Sequence, residues 1–108
     1  MLRFFVITFC FIAHVALSQQ SERYLGDYTK FQTATDLFEK QKYSAAQQEF
    51  QLFMTENADA NDPFFVKAKY YHSLCALYLY HSDAEALLCN FLAEYPESIY
   101  RQEIYFEL

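Results

Sequence analysis

Tyr43-Ser-Ala-Ala-Gln-Gln-Glu-Phe-Gln-Leu-Phe53 and His81-Ser-Asp-Ala-Glu-Ala-Leu-Leu-Cys-Asn-Phe91 are one pattern written twice. Ser44, Ala46, Phe50 and Phe53 return 38 residues later as Ser82, Ala84, Leu88 and Phe91. In each copy a small residue and two large apolar ones fall four and then three positions apart, which is the spacing of one helix face. Self-similarity at a fixed period of this size marks stacked helical units. Each copy also opens on a serine followed three positions later by Gln47 or Glu85. That is the form of a capping box, in which the serine side chain and the amide or carboxylate satisfy backbone groups at the helix start.

Working outward, a helix is expected before each of these. Phe31, Ala34, Leu37 and Phe38 recur at helical spacing and predict a first helix from about Tyr28 to Gln41. The second begins at Ser44 and fades near Glu56. Asn57 to Asp62 reads as a loop, and Asp62-Pro63 as an N-cap followed by a first-turn proline. The third helix is expected to reach about Tyr80, and the fourth to run from Ser82 to just before Pro96. Ser98 to Leu108 opens a fifth, apolar on more than one side through Ile99, Tyr100, Ile104, Tyr105, Phe106 and Leu108. With one glycine and two prolines in 108 residues, the chain lacks the turn residues of a hairpin-built β fold. The expected fold is all-α, made of antiparallel helix-turn-helix pairs: a first repeat at about 27–57, a second at about 62–96, and the first helix of a third at 97–108. A terminal helix of such an array should be polar outside. The apolar fifth helix therefore suggests the N-terminal part of a longer array.

The first residues read differently. Met1-Leu2-Arg3 precedes an apolar run from Phe4 to Leu17, and Ala16 and Ser18 are small residues at the −3 and −1 positions of a cleavage site. This is the form of a secretory signal peptide over 1–18, followed by a polar, flexible lead-in over 19–26. The alternative is an uncleaved anchor, but a membrane-spanning helix needs about 20 apolar residues and this run is shorter. Cys10 lies inside the run rather than after it, which argues against a lipidated signal. Export to the periplasm or the outer membrane of a bacterial envelope follows as an expectation, with no membrane span after cleavage.

Cleavage would remove Arg3 and no acid, leaving the chain more acidic than its formal net charge of −6. Such a chain repels phosphate backbones and anionic membrane surfaces, so nucleic acid is not an expected partner. Cys75 and Cys89 sit one on each helix of a hairpin. Packed helix axes are about 8–10 Å apart and a disulfide needs Cα atoms within about 7 Å. Two free, buried cysteines are expected.

These stretches resemble the tetratricopeptide repeat. The first unit carries A-x-x-L-F-x(4)-Y-x-x-A-x-x-x-F, from Ala34 through Leu37, Phe38, Tyr43 and Ala46 to Phe50. The second carries H-S-D-A-x-x-x-L-x-x-F-x(4)-P, from His81 through Ala84, Leu88 and Phe91 to Pro96. The sequence departs from the pattern in three places. Its period exceeds the usual one of about 34 residues, Gln41 and Tyr80 stand where a turn glycine is usual, and either His72 or Ser73 takes the small position of the third helix. Stretches like Phe91-Leu92 followed by Tyr95-Pro96-Glu97-Ser98 are similar to exported repeat proteins of bacterial envelopes, including outer-membrane assembly and cell-division adaptors.

The resemblance implies a non-catalytic scaffold that binds a partner protein, as a peptide or helix, on a concave face lined by alternate helices. Carried onto this chain, the lining would be Tyr28, Phe31, Thr35, Phe38 and Glu39, then Val66, Lys69, Ser73, Ala76 and Leu77. The alternative is an oligomerisation module in which residues 98–108 pair with another copy or with a downstream domain.

No constellation argues for chemistry. His81-Ser82-Asp83 is local in sequence, whereas a catalytic triad needs convergence in space with the histidine between the other two. His81 and Glu85 alone do not make a zinc site. Asp59, Asn61 and Asp62 imitate part of a calcium loop, but Phe64 and Tyr70 occupy the positions where it needs glycine and glutamate. No cofactor or metal is implied. The signal-peptide reading predicts that mass spectrometry of the exported product finds Gln19 at its N-terminus; a product still carrying residues 1–18 would contradict it.

Overall fold

The computed structural model of the chain describes residues 28–108. The signal segment expected over 1–18 and the lead-in expected over 19–26 lie outside the described residues. The described chain is all-helical, with no strand. Helix α1 is described over 28–39. It is followed by α2 (Tyr43–Glu56), α3 (Pro63–Tyr78), α4 (Ala84–Glu94) and α5 (Arg101–Glu107). Helices α3 and α5 are each shorter than expected, stopping two residues before Tyr80 and starting three after Ser98.

Both tight turns use one device. Gln41, at φ 62°, and Tyr80, at φ 58°, are the non-glycine residues in left-handed backbone among those described. After α1, the Gln41 N–H donates to the Phe38 carbonyl and the Lys42 N–H to the Leu37 carbonyl, both at 2.9 Å. After α3, the Tyr80 N–H donates to Leu77 at 3.0 Å and the His81 N–H to Ala76 at 2.9 Å. This crossed pair of bonds is a Schellman motif, which satisfies carbonyls the helix end leaves open.

These turns settle the register that the sequence left open. Gln41 and Tyr80 are 39 residues apart, while Ala46 and Ala84 are 38 apart. The second turn is therefore one residue shorter. Counting by 39 in the helices before the turns matches Ala34, at 0% exposure, with Ser73, at 2%. Ser73 is buried at this place, and His72 beside it is only half-buried. Counting by 38 in the helices after the turns matches Phe50 with Leu88 and Phe53 with Phe91, all of them buried.

The two expected capping boxes do not form. Helix α2 takes Lys42 as its N-cap and α4 takes Asp83, and neither side chain caps the backbone. Tyr43 lies against Phe38 at 5.4 Å and Tyr78 at 4.9 Å between ring centres, and this packing draws it into the first turn of α2. Ser44 is then already inside the helix. Gln47, instead of reaching back, donates to the His72 carbonyl on α3 at 3.4 Å. Asp83 has helical backbone angles (φ −91°, ψ 0°), not the extended ones from which an N-cap side chain reaches forward. Asp62 does have extended angles, and its Oδ1 accepts the Phe64 N–H at 2.9 Å ahead of Pro63. Asn57 donates to the other oxygen of Asp62 at 3.0 Å, which closes the loop onto the cap.

The helices pack in alternating directions. Phe31 early in α1 meets Phe53 late in α2 at 5.4 Å, and Phe38 late in α1 meets Tyr43 at the start of α2. Helix α3 returns antiparallel to α2, with Tyr71 stacked on Phe50 at 5.7 Å and 18°. Tyr70 meets Phe91 of α4 at 5.8 Å and stacks on Tyr100, just before α5, at 4.1 Å. Helices α1, α3 and α5 thus run one way, and α2 and α4 the other. Two clusters form the core. Phe31, Ala34, Ala46, Phe50, Phe53, Ala68 and Cys75 make the first; Tyr70, Leu74, Leu88, Phe91 and Ile104 make the second. One ion pair ties each hairpin at its open end: Lys30 with Glu56, and Lys69 with Glu94.

Left-handed backbone costs an L-residue about 1–2 kcal/mol, part of which glycine recovers. The Tyr80 side chain is 94% exposed, so it has little packing to lose. Tyr80→Gly should therefore stabilise the chain by about 0.5–1 kcal/mol in denaturant titration. Phe50→Ala, which empties a fully buried site, should destabilise it by about 3–5 kcal/mol. A destabilised Tyr80→Gly would show that the tyrosine ring contributes to the turn.

Candidate functional site

The side chains expected to line a concave face divide into two groups. Phe31 is 6% exposed and its ring meets Phe50, Phe53 and Phe64 at 6.1, 5.4 and 5.2 Å. Ser73 and Ala76 are buried, and the Ser73 hydroxyl donates to the Lys69 carbonyl at 3.0 Å. Phe38, Val66 and Leu77 are half-buried and pack against the second cluster. These residues hold the helices together. Lys69 points toward α4, where it pairs with Glu94 and lies 6.0 Å over the Tyr95 ring. Tyr28 (43% exposed), Thr35 and Glu39 remain nearer the surface of α1. Tyr28 meets Phe64 edge-on at 5.7 Å, and the Thr35 hydroxyl donates to the Phe31 carbonyl at 3.0 Å.

On α3 the stripe that sequence reasoning missed is Phe64, Lys67, Tyr71 and Tyr78, spaced three, four and seven residues apart along one face. Tyr71 sits edge-on to Phe38 of α1 at 4.7 Å and 6.5 Å from Tyr100 beside α5. Tyr78 touches Tyr43 and Phe38 at 4.9 and 6.1 Å, and its hydroxyl donates to Glu107 of α5 at 3.5 Å. The Lys67 ammonium lies 5.8 Å from the centre of the Phe31 ring and 5.9 Å from that of Tyr71. Counting by 39 from α1 brings out this stripe, since it pairs Glu39 with Tyr78 and Tyr28 with Lys67, and that count comes from the turn geometry at Gln41 and Tyr80.

Carboxylates of the flanking helices act on the tyrosines of this face, beside the Lys67 ammonium. Burial raises the Tyr71 phenol above its ordinary value, and the carboxylates of Glu103 and Glu39 raise it further. Tyr78 is raised first by burial and then by Glu107. Tyr100 is raised by burial, then by Tyr71 and Glu103. Tyr70 is raised by burial and then by Glu103. Carboxylates from α1 and α5 therefore bear on the tyrosines of α3 between them.

Two of the hollows among the described residues lie elsewhere. One of about 490 Å³ opens among α2, α3 and α4, with Gln51, Met54, Phe65, His72 and Leu87 in its wall. Burial lowers the His72 pKa, Asp83 opposes this and His81 adds to it. The other, of about 550 Å³, is lined by Pro63, Val66, Tyr95, Pro96, Ile99 and Tyr100. Among the described residues no group of three His, Cys, Asp or Glu side chains could hold a metal ion, and no helix is long and apolar enough to cross a membrane.

Cys75 and Cys89 are both free. Cys75 is buried, and its thiol is pushed up to about 12 by desolvation. Cys89, expected to be buried, is exposed. Ala84, Leu88 and Phe91 take the inward face of α4, and Cys89 follows Leu88 round to the outside.

No family model, curated protein or solved structure matches the chain.

The raised phenols set the sign of a pH dependence. The folded chain keeps these protons to higher pH than the unfolded chain, so their stabilisation is full below the ordinary phenol value of 10.0 and is lost as pH rises above it. The denaturant midpoint should hold up to about pH 9 and fall steeply by about pH 11. An unchanged midpoint at the higher pH would refute the tyrosine packing described.

Proposed function

We propose that this chain is a non-catalytic scaffold that holds a peptide or helix of a partner protein against the surface shared by α1, α3 and α5. The finer architecture proposed is a tetratricopeptide-like array of two helix pairs and the opening helix of a third. Matched left-handed turns, matched buried positions and the paired Lys30–Glu56 and Lys69–Glu94 bridges support it. The sequence of residues 1–18 supports export, and with it a place in a bacterial envelope as an adaptor.

The observation that carries the reading is the run of accessible aromatic rings along one side of the same-direction helices, from Tyr28 and Phe64 to Tyr78, at 43, 39 and 36% exposure. Amphipathic rings of this kind anchor partners while tolerating water. A photo-crosslinking residue at Glu39 or Tyr28 should capture a partner in the native host. The same residue at Gln48, exposed on α2, should not. Adducts from Gln48 alone would move the binding surface to the other side.

A second reading rests on a different surface. Ile99, Tyr105, Phe106 and Leu108 are 83, 59, 95 and 53% exposed around α5. Such an apolar patch can serve self-association. Sedimentation across a wide concentration range decides this reading. A dimer abolished by Phe106→Glu supports it, and a monomer throughout rejects it.

A further inference from the structure

We infer that the segment held on the α1/α3/α5 face is basic, with an arginine or lysine side chain laid against the exposed Tyr78 ring, between Glu39 of α1 and Glu103 and Glu107 of α5. This rests on the scaffold reading above and specifies the chemistry of its ligand.

Charge complementarity argues for it first. The two ion pairs among the described residues, Lys30–Glu56 and Lys69–Glu94, each join a helix to its hairpin partner at the open end. Neither uses a carboxylate of this face. Glu39, Glu103 and Glu107 are exposed and have no lysine or arginine partner among the described residues. An acidic segment would meet them as like charges. A purely apolar helix would strip their water and offer nothing in return, which is costly for an ionised group. A cation satisfies them, and the acidic chain as a whole draws it in.

The rings argue for it independently. Phe38, Tyr43, Tyr71 and Tyr78 form a connected patch, with centroid separations of 4.7, 4.9, 5.4 and 6.1 Å. Aromatic faces attract ammonium and guanidinium groups through their quadrupole. The molecule already holds a cation in this manner, since Lys67 lies over both Phe31 and Tyr71. A guanidinium is favoured over an ammonium, because its plane stacks on a phenol ring while its edge reaches a carboxylate. The shifts of Tyr71 and Tyr78 agree, as both phenols feel carboxylates from the flanking helices.

The test begins with selection of a random displayed peptide library on the intact chain. The best selected peptide is then synthesised and its binding followed by fluorescence anisotropy. Enrichment of arginine or lysine is expected. Changing those residues to glutamine in the peptide, or combining Glu39→Gln with Glu103→Gln in the protein, should weaken binding about tenfold, and added salt should weaken the wild-type complex. Both glutamates are exposed and outside the ion pairs, so helicity by circular dichroism should be unchanged. A control combining Glu85→Gln with Glu97→Gln removes the same charge elsewhere on the surface and should leave affinity intact.

Equal weakening by the control would overturn the site, since net charge alone would then explain the effect. Enriched peptides without basic residues that still crosslink to a photoreactive residue placed at Tyr28 or Glu39 would overturn the basic ligand and keep the scaffold. Failure to enrich any peptide would count against both.

Discussion

Tyr71 is the residue on which the arrangement turns. Its ring stacks on Phe50 of α2 and stands edge-on to Phe38 of α1, and with Phe38 it packs against both core clusters. It joins the cluster that α3 shares with α1 and α2 to the one that α3 shares with α4 and α5. A buried aromatic contributes through the area it removes from water and through ring geometry worth about 0.5–1.5 kcal/mol per pair. Here one side chain makes such pairs to two helices and sits at 6.5 Å from Tyr100 before a third. Helix α3 is therefore fixed between α1 and α5, and the side-by-side order of the three same-direction helices follows.

That use of tyrosine ties packing to surface. A phenylalanine at position 71 or 78 would fill the same volume but keep no polar tip near solvent. The Tyr78 hydroxyl donates to Glu107, and Tyr71 feels the carboxylates of Glu103 and Glu39. The face that holds the helices together thus also carries these carboxylates. The hollow around His72 lies on the other side of α3, and the side chains there serve α2 and α4.

The hairpins achieve like geometry with unlike residues. Two non-glycine residues accept left-handed backbone so that each helix can end in the same crossed pair of hydrogen bonds. Each open end carries a lysine–glutamate bridge, although exposed pairs of this kind contribute only about 0–1 kcal/mol. Their value lies in register more than in energy, since each fixes one helix of the pair against the other. The second turn closes with one residue fewer, and this moves every outward position of α3 by one place relative to α1.

The all-helical class was legible in the sequence because helical spacing follows from 3.6 residues per turn and needs no partner to be read. Ala46, Phe50 and Phe53, and their counterparts Ala84, Leu88 and Phe91, announced the buried faces of α2 and α4, and all six are buried. Asp62-Pro63 announced the start of α3, since its cap depends only on neighbours in the chain. The first serine box misled because a cap competes with packing: Tyr43 packs on Phe38 and Tyr78 at the start of α2, and Gln47 turns to α3. The face of α3 could not be read at all. A shift of one residue turns a helix by about 100 degrees, and only the three-dimensional turn at Tyr80 reveals that shift. Local spacing thus determined which elements form and what they bury. Which side chains meet across helices, and so which tyrosines and carboxylates share a surface, was decided by tertiary packing, because contacts between distant residues depend on a register that no single segment contains.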